Sequence, residues 1–224
     1  MKHIVILTGA GMSAESGLKT FRDADGLWEG HDVMQVATPE GFRNNPELVL
    51  EFYNQRRRQL LTVKPNSAHY DLATLEKKYK VTIITQNVDD LHERAGSSNV
   101  IHLHGELLKA RNIKDDTICF DHKTDIKWGD TCPNGHQLRP HIVWFGEAVP
   151  MIDQALEICK TAAILVIIGT SMQVYPAAGL MHYVPEGIPV YFIDPNPAME
   201  SRGNLKVITD TATRGTQELL KLLD

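Results

Sequence analysis

The chain has 224 residues, of which 42% are apolar and 23% charged, with a formal net charge of −5. This is the composition of one large globular domain, or of one domain carrying an insertion. The negative balance argues against a general nucleic-acid or membrane-surface binder.

Residues 4–7, "IVIL", form a short uninterrupted apolar run that ends at Thr8-Gly9. A strand buried on both faces of a parallel sheet reads this way. Similar runs recur at residues 81–84, 164–168 and 190–193. Helical patterns lie between and after them. Residues 46 to about 63 form one, closed by Pro65. "NSAHYDLATLEKKY" forms the next, with Asn66 or Ser67 as cap and Leu72, Leu75 and Tyr79 at helical spacing. "TRGTQELLKLLD" forms the last. Strands alternating with helices predict an α/β fold, a Rossmann-like doubly wound parallel sheet. Two stretches interrupt the alternation, about 26–64 and 107–140, and are expected to form a smaller inserted lobe. The larger lobe then comprises about 1–25, 65–106 and 141–224. The longest apolar run, 162–169, is far short of the about 20 residues that cross a bilayer. The N-terminus passes straight into a glycine turn with no cleavage-type segment. Three cysteines make no disulfide framework, so a reducing, cytoplasmic setting is expected.

Each buried strand ends in small or polar residues. After the first comes "LTGAGMSAESG", where Gly9 and Gly11 let the backbone turn tightly towards a phosphate. A helix beginning near Ser13 would aim free N–H groups at it. The pattern is close to a dinucleotide fingerprint, but no acidic residue suited to holding a ribose ends the second strand. That strand ends "TQNVDDLH", placing Gln86, Asn87 and Asp89 at its carboxyl end, where they either meet a ligand or cap a helix. "VIHLHGE" carries His102 and His104, and the glycine after His104 leaves room for a ligand at its ring. "IIGTS" and "FIDPNP" end the remaining strands with Gly169, Thr170, Ser171, Asp194 and Asn196. Four strands with such endings at one rim predict a nucleotide site built from several loops. The stretch "FYNQRRR" puts Tyr53 and Arg56 at i and i+3 on one helix face, a fork of donors suited to a carboxylate or phosphate. Arg57 and Arg58 are expected to face solvent.

Taken together, "GAGMSAESGLKTFR", "TQNVDDLH", "HLHG", "LRPHIVWFGE" and "GTS", in this order over almost the whole chain, resemble the sirtuin family of NAD-dependent protein-lysine deacylases. The resemblance implies that NAD is consumed as a co-substrate, with release of nicotinamide and O-acyl-ADP-ribose. His104 matches the general base acting on a ribose hydroxyl, and Asn87 the second catalytic position. Asn87 and Asp89 match the nicotinamide pocket and Gln86 a ribose contact. Gly9, Ala10, Gly11, Ser16, Arg22, Gly169, Thr170, Ser171 and Ala212 match the remaining cofactor contacts, with Asn196 in a loop that departs from the family's usual residues. Val143, Phe145 and Gly146, in "VWFGE", match the edge on which an acylated protein substrate lies as an added strand. Tyr53, Arg56 and Ala37 match the acyl pocket of a branch that favours succinyl and malonyl groups, with acetyl also possible.

The family's zinc ribbon, two Cys-x2-Cys pairs, is not intact in this chain. Cys119 and His122 with Cys132 and His136 leave a two-sulfur, two-nitrogen set open. The expectation is that no metal is bound and that packing alone holds the lobe. The resemblance makes a monomer the default. Three other uses of such a site remain as rivals: mono-ADP-ribosyl transfer, nicotinamide-dependent oxidoreduction, and non-catalytic NAD binding.

Overall fold

The computed structural model describes residues 1–19, 27–114 and 118–223. Arg22 lies outside the described residues. The chain opens with strand β1 (His3–Thr8) and a single helical turn α1 (Gly11–Ala14). After the hairpin β2 (Leu27–Trp28) and β3 (His31–Asp32) come helices α2 (Val33–Val36), α3 (Pro39–Asn44) and α4 (Pro46–Leu60). Helix α5 (Ser67–Thr74), β4 (Lys80–Thr85), α6 (Leu91–Arg94) and β5 (Val100–His102) follow. Strands β6 (Gly105–Asn112), β7 (Cys119–Asp121) and β8 (Leu138–Ile142) precede α7 (Ile152–Cys159). The chain closes with β9 (Ile164–Ile168), β10 (Val190–Ile193), β11 (Leu205–Ile208) and α8 (Ala212–Leu223).

The main sheet is six-stranded, in the order β11-β10-β9-β1-β4-β5. Every pairing in it is parallel. Alternate residues of its central strands feed two apolar layers. Ile4, Ile6, Ile83 and Val166 pack with Leu72 of α5 and Leu219 of α8. Val5, Leu7, Leu165 and Ile167 pack on the other face with Ala155 and Cys159 of α7. Burial on both faces is why these strands read as unbroken apolar runs. The order reverses at β1, which pairs with both β9 and β4. In open sheets of this kind the crevice outside such a switch point is where ligands bind.

The helix boundaries follow local chemistry. Asn66 caps α5 by accepting from the N–H groups of Ala68 and His69, while the His69 ring returns a bond to the Asn66 N–H. Asn45 caps α4, with Pro46 in its first turn. That helix ends at Leu60, about a turn before the expected limit.

The segment 107–140, which interrupts the strand–helix alternation, supplies much of an antiparallel sheet ordered β7-β6-β8. With α4 it encloses a second core that includes Phe52, Tyr53, Leu107, Ile126 and Trp144. Arg57 does not face solvent: it is fully buried, donating from Nε to the Leu107 carbonyl (3.1 Å) and from Nη1 to Asn54 Oδ1 (2.8 Å). Only Arg58 is exposed, bridging Glu51 and Asp125 at 2.6 Å each. No described helix is long and apolar enough to cross a membrane.

Candidate active site

The carboxyl ends of β1, β4, β9 and β10 open into one cleft of about 600 Å³, which the smaller lobe walls from the opposite side. Gly9, Ala10, Gly11, Gln86, Asn87, Asp89, His104, Gly169, Thr170, Ser171, Asn196 and Ala212 all line it. So do Ala37, Tyr53, Arg56, Val143, Phe145 and Gly146. Ser16 is not on this wall. Its hydroxyl is buried and has no partner among the described residues.

The floor is made where two backbones cross. Gly9 donates to the Ile168 carbonyl (3.0 Å) and Gly11 to that of Gly169 (2.8 Å). A Cβ on Gly11 would stand 2.6 Å from the Gly169 Cα, and Gly169 itself sits at φ +61°. Side chains on these residues would force the strands apart, so the turn after β1 requires glycine for packing as well as for ligand approach. The helix expected from Ser13 is only the one turn of α1, beginning two residues earlier.

Around Asn87 the polar groups are fixed by one another. Its Nδ2 donates to the Gly9 carbonyl (3.0 Å) and to Ser13 Oγ (3.1 Å). Ser13 in turn donates to Asp89 Oδ2 (2.9 Å), whose Oδ1 accepts from the Leu91 N–H (3.1 Å). Asp89 thus lines the cleft and also accepts from the first N–H of α6, whose N-cap position is Asp90. Burial raises the pKa of its carboxyl, and the Ser13 and Leu91 bonds work against that rise. With both Asn87 amide hydrogens engaged, its side-chain carbonyl is the acceptor left for a ligand. Gln86 Nε2 donates to Thr170 Oγ1 (3.0 Å), tying the ends of β4 and β9 together.

The two histidines at the end of β5, His102 within it and His104 just beyond, have their pKa values moved in opposite directions. His104 places Nδ1 3.0 Å from the Gln86 carbonyl. A carbonyl only accepts, so Nδ1 carries the proton and Nε2 presents a lone pair. Burial lowers the His104 pKa, partly offset by that backbone bond. A neutral ring with one free basic nitrogen is the form a general base needs. His102 is bracketed by the Asn87 carbonyl (3.2 Å) and Glu93 Oε1 (2.7 Å). Burial opposes charge there too, but the Glu93 carboxylate outweighs it and the pKa is raised. His102 therefore braces the Asn87 backbone.

On the small-lobe wall, Tyr53 is fully buried and its hydroxyl accepts from Trp144 Nε1 (3.0 Å). Burial keeps the phenol protonated, leaving its own hydrogen to donate. Arg56 donates from Nη1 to the Phe52 carbonyl (2.7 Å), with Cζ 3.7 Å from the Phe52 ring centroid. Its Nε is buried with no partner among the described residues. The 143–147 turn is clamped by Glu147, which accepts from Arg139 Nη1 (2.7 Å), Arg139 Nη2 (3.1 Å), Arg111 Nη2 (3.2 Å) and the Trp144 N–H (2.8 Å). Val143 and Phe145 are tied back to the carbonyls of His104 and Ala37, both at 2.9 Å. Sequence reasoning singled out neither Ser13 nor Trp144 nor Glu147 as site residues. Each lies inside a quoted motif, but their roles are support for neighbours, which a sequence pattern does not display.

At the far end, Asp194 Oδ1 accepts from the Asn196 N–H (2.8 Å), so the two form one turn facing the cleft. Among the described residues no group of three or more His, Cys, Asp or Glu side chains is placed to hold a metal ion. Cys119, His122, Cys132 and His136 are thus not gathered into such a group.

Comparison with known proteins agrees with this geometry. The Sir2 family profile matches residues 9–176. The chain belongs to the Sir2 family. An NAD-dependent protein deacylase of Helicobacter pylori (strain ATCC 700392 / 26695) is 56% identical over 224 residues, covering 100% of this chain and 98% of that protein. A Bacteroides thetaiotaomicron protein of the same name is 55% identical over 230 residues, with 100% and 98% covered. Among solved structures, a complex of a Sir2 homologue with NAD superposes with a TM-score of 0.89 at 38% identity, covering 99% of this chain and 89% of that one. A Sir2 protein with a deacetylated p53 peptide and 3′-O-acetyl ADP-ribose gives a TM-score of 0.81 at 28% identity, with 98% and 92% covered. The six-stranded Rossmann-like sheet with a smaller antiparallel lobe is the fold of this family. The side-chain-free glycine floor suits the NAD that the family uses.

Proposed function

We propose that this chain, an NAD-dependent protein deacylase of the Sir2 family, removes acidic acyl groups, succinyl and malonyl, from lysine side chains in preference to acetyl. NAD supplies the ADP-ribose that receives the acyl group. The chain as a whole serves as one catalytic unit, its inserted lobe carrying the acyl pocket and its larger lobe the NAD site.

The observation that carries the preference is the Tyr53–Arg56 wall. A protonated phenol and a guanidinium with an unpartnered buried nitrogen both face the cleft, beside the small side chain of Ala37. The guanidinium has only a distant carboxylate, Glu29 at 4.0 Å, and a carboxylate at the far end of an acyl chain would give it a closer, charge-assisted partner. On the opposite side, His104 Nε2 takes the proton from a ribose hydroxyl, and the Nδ1 bond to Gln86 holds the ring in the required tautomer. Asn87 and Asp89, positioned through Ser13, order the nicotinamide end. The substrate main chain pairs with the turn around Val143, Phe145 and Gly146, a mode that reads backbone more than sequence.

The test compares kcat/KM for acetyl-, malonyl- and succinyl-lysine versions of one peptide, with nicotinamide release as readout, in the wild type and in Arg56→Met. A charge-assisted contact of roughly 1.5–3 kcal/mol predicts a loss of about one to two decades on the succinyl peptide. A wild type that prefers acetyl, with no change in the variant, would overturn the preference.

A further inference from the structure

Glu29 lines the same cleft as Arg56 and is not accounted for by the acyl-pocket reading. It sits in the two-residue loop between β2 and β3, where Trp28 pairs with His31. Both loop residues have positive φ, +49° at Glu29 and +79° at Gly30. A tight hairpin of this kind favours Asn or Gly at its first position, and glutamate there adopts the left-handed conformation at a cost. A residue kept where its backbone is disfavoured prompts the question of what its side chain does.

The Glu29 carboxylate stands between two cations. The same oxygen, Oε2, lies 3.2 Å from Lys19 Nζ and 4.0 Å from Arg56 Nη2. The Lys19 side chain is 66% exposed, whereas those of Glu29 and Arg56 are only 19% and 14% exposed. The outer contact is therefore screened by water, and the inner one is felt in a drier environment. A carboxylate arriving on Arg56 meets a like charge already at the guanidinium. With Lys19 in place the four groups balance, two positive and two negative. Without it Glu29 is free to move the remaining distance onto Arg56.

We infer that Glu29 is a built-in competitor for Arg56, held aside by Lys19, and that this trio sets how strongly an acidic acyl group is preferred over a neutral one. The inference rests on the acidic-acyl reading of Arg56. It assigns Glu29 a role in selectivity and none in chemistry.

The readout is the ratio of KM for succinyl- to KM for acetyl-lysine peptide, measured within each variant. Glu29→Gln removes the competing charge at constant size and is expected to lower the ratio about three- to fivefold, the scale of a partly screened ion pair. Glu29→Asn suits the turn better, and is expected to lower the ratio similarly without loss of thermal stability. Lys19→Met releases Glu29 and is expected to raise the ratio by a similar factor. In an Arg56→Met background, Glu29→Gln is expected to leave the ratio where Arg56→Met put it. If Arg56→Met raises the ratio but Glu29→Gln leaves the wild-type ratio unmoved or raises it, the competitor role is wrong and the acyl pocket stands. If Arg56→Met itself does not raise the ratio, the acyl reading falls and this inference with it.

Discussion

Truncating Asn54 should damage this protein far more than removing the charge beside it. Asn54 is buried, and its amide makes three bonds: Nδ2 to the Ile126 carbonyl (2.9 Å), and Oδ1 from the Ile126 N–H (2.9 Å) and from Arg57 Nη1 (2.8 Å). Asn54→Ala leaves both backbone groups of the buried Ile126 unpaired and strands a buried guanidinium. At about 1–3 kcal/mol per unsatisfied group, with some relaxation, the expected cost is about 3–5 kcal/mol. Arg57→Met leaves only the Leu107 carbonyl without its donor, because Asn54 Oδ1 keeps the Ile126 bond. Against that loss stands relief of the desolvated cation. Burial pushes the Arg57 pKa down from 12.5 to about 10, a penalty of roughly 3 kcal/mol. The two terms nearly cancel, so Arg57→Met is expected to lie within about 1 kcal/mol of wild type. Urea unfolding followed by tryptophan fluorescence measures both, and the Asn54 variant's midpoint should fall by more than about 1 M. A chelator should leave the wild-type midpoint unmoved, since the described residues gather no metal set. If Arg57→Met proves as costly as Asn54→Ala, the guanidinium rather than the amide organises this lobe, and the reasoning fails.

Two further outcomes follow from the histidines. Because burial lowers the His104 pKa, kcat/KM should hold its plateau to below pH 6.5, and His104→Ala should cost about 10²–10⁴ in rate; an acid limb centred above 6.5 in the pH–rate profile would contradict the assignment. His69 is fully buried, and burial, aided by Arg94, lowers its pKa to about 4. Between pH 6.5 and about 4 the unfolded chain takes up a proton that the native state refuses, so stability falls as pH falls through that window. At pH 5 the loss from this residue is about 2 kcal/mol, which urea unfolding at pH 5 and 7 would detect; equal midpoints would show that the ring is protonated in the native state.

The parallel sheet was legible because its strands are buried on both faces, so Ile4, Ile83, Val166 and their neighbours appear as unbroken apolar runs. Strand β11 escaped because it is an edge strand, mostly half-covered, with Lys206 in its middle. The antiparallel sheet escaped for a different reason. Arg111 and Arg139 lie in its strands and read as surface residues, yet both are buried against Glu147. Hydrophobic periodicity registers burial only where burial is apolar. Arg57 was misplaced on the same ground: its partners are the Asn54 side chain and a carbonyl of β6, and a helix pattern carries no trace of either. The cleft residues were legible as small or polar endings of strands, whereas Ser13, Trp144 and Glu147 act on neighbours rather than on the cleft's contents.

The arrangement of arginines gives the small lobe its logic. Arg139 and Arg111 are spent on Glu147, which holds the turn bearing Trp144 and hence Tyr53. Arg57 is committed to Asn54 and β6, and Arg58 to surface carboxylates. Unpartnered buried nitrogens occur on Arg57 and Arg139 as well as on Arg56, so an orphan donor alone marks no binding site. Of these three arginines, Arg56 is the one on the cleft wall. Its other contacts are a carbonyl on its own helix, the Phe52 ring and a carboxylate 4.0 Å away that Lys19 holds more closely. A cation anchored at one nitrogen, stacked on an aromatic face and loosely neutralised is preorganised without being satisfied. Positioning is complete before a ligand arrives, and the remaining electrostatic gain is available only to a ligand that brings a negative charge.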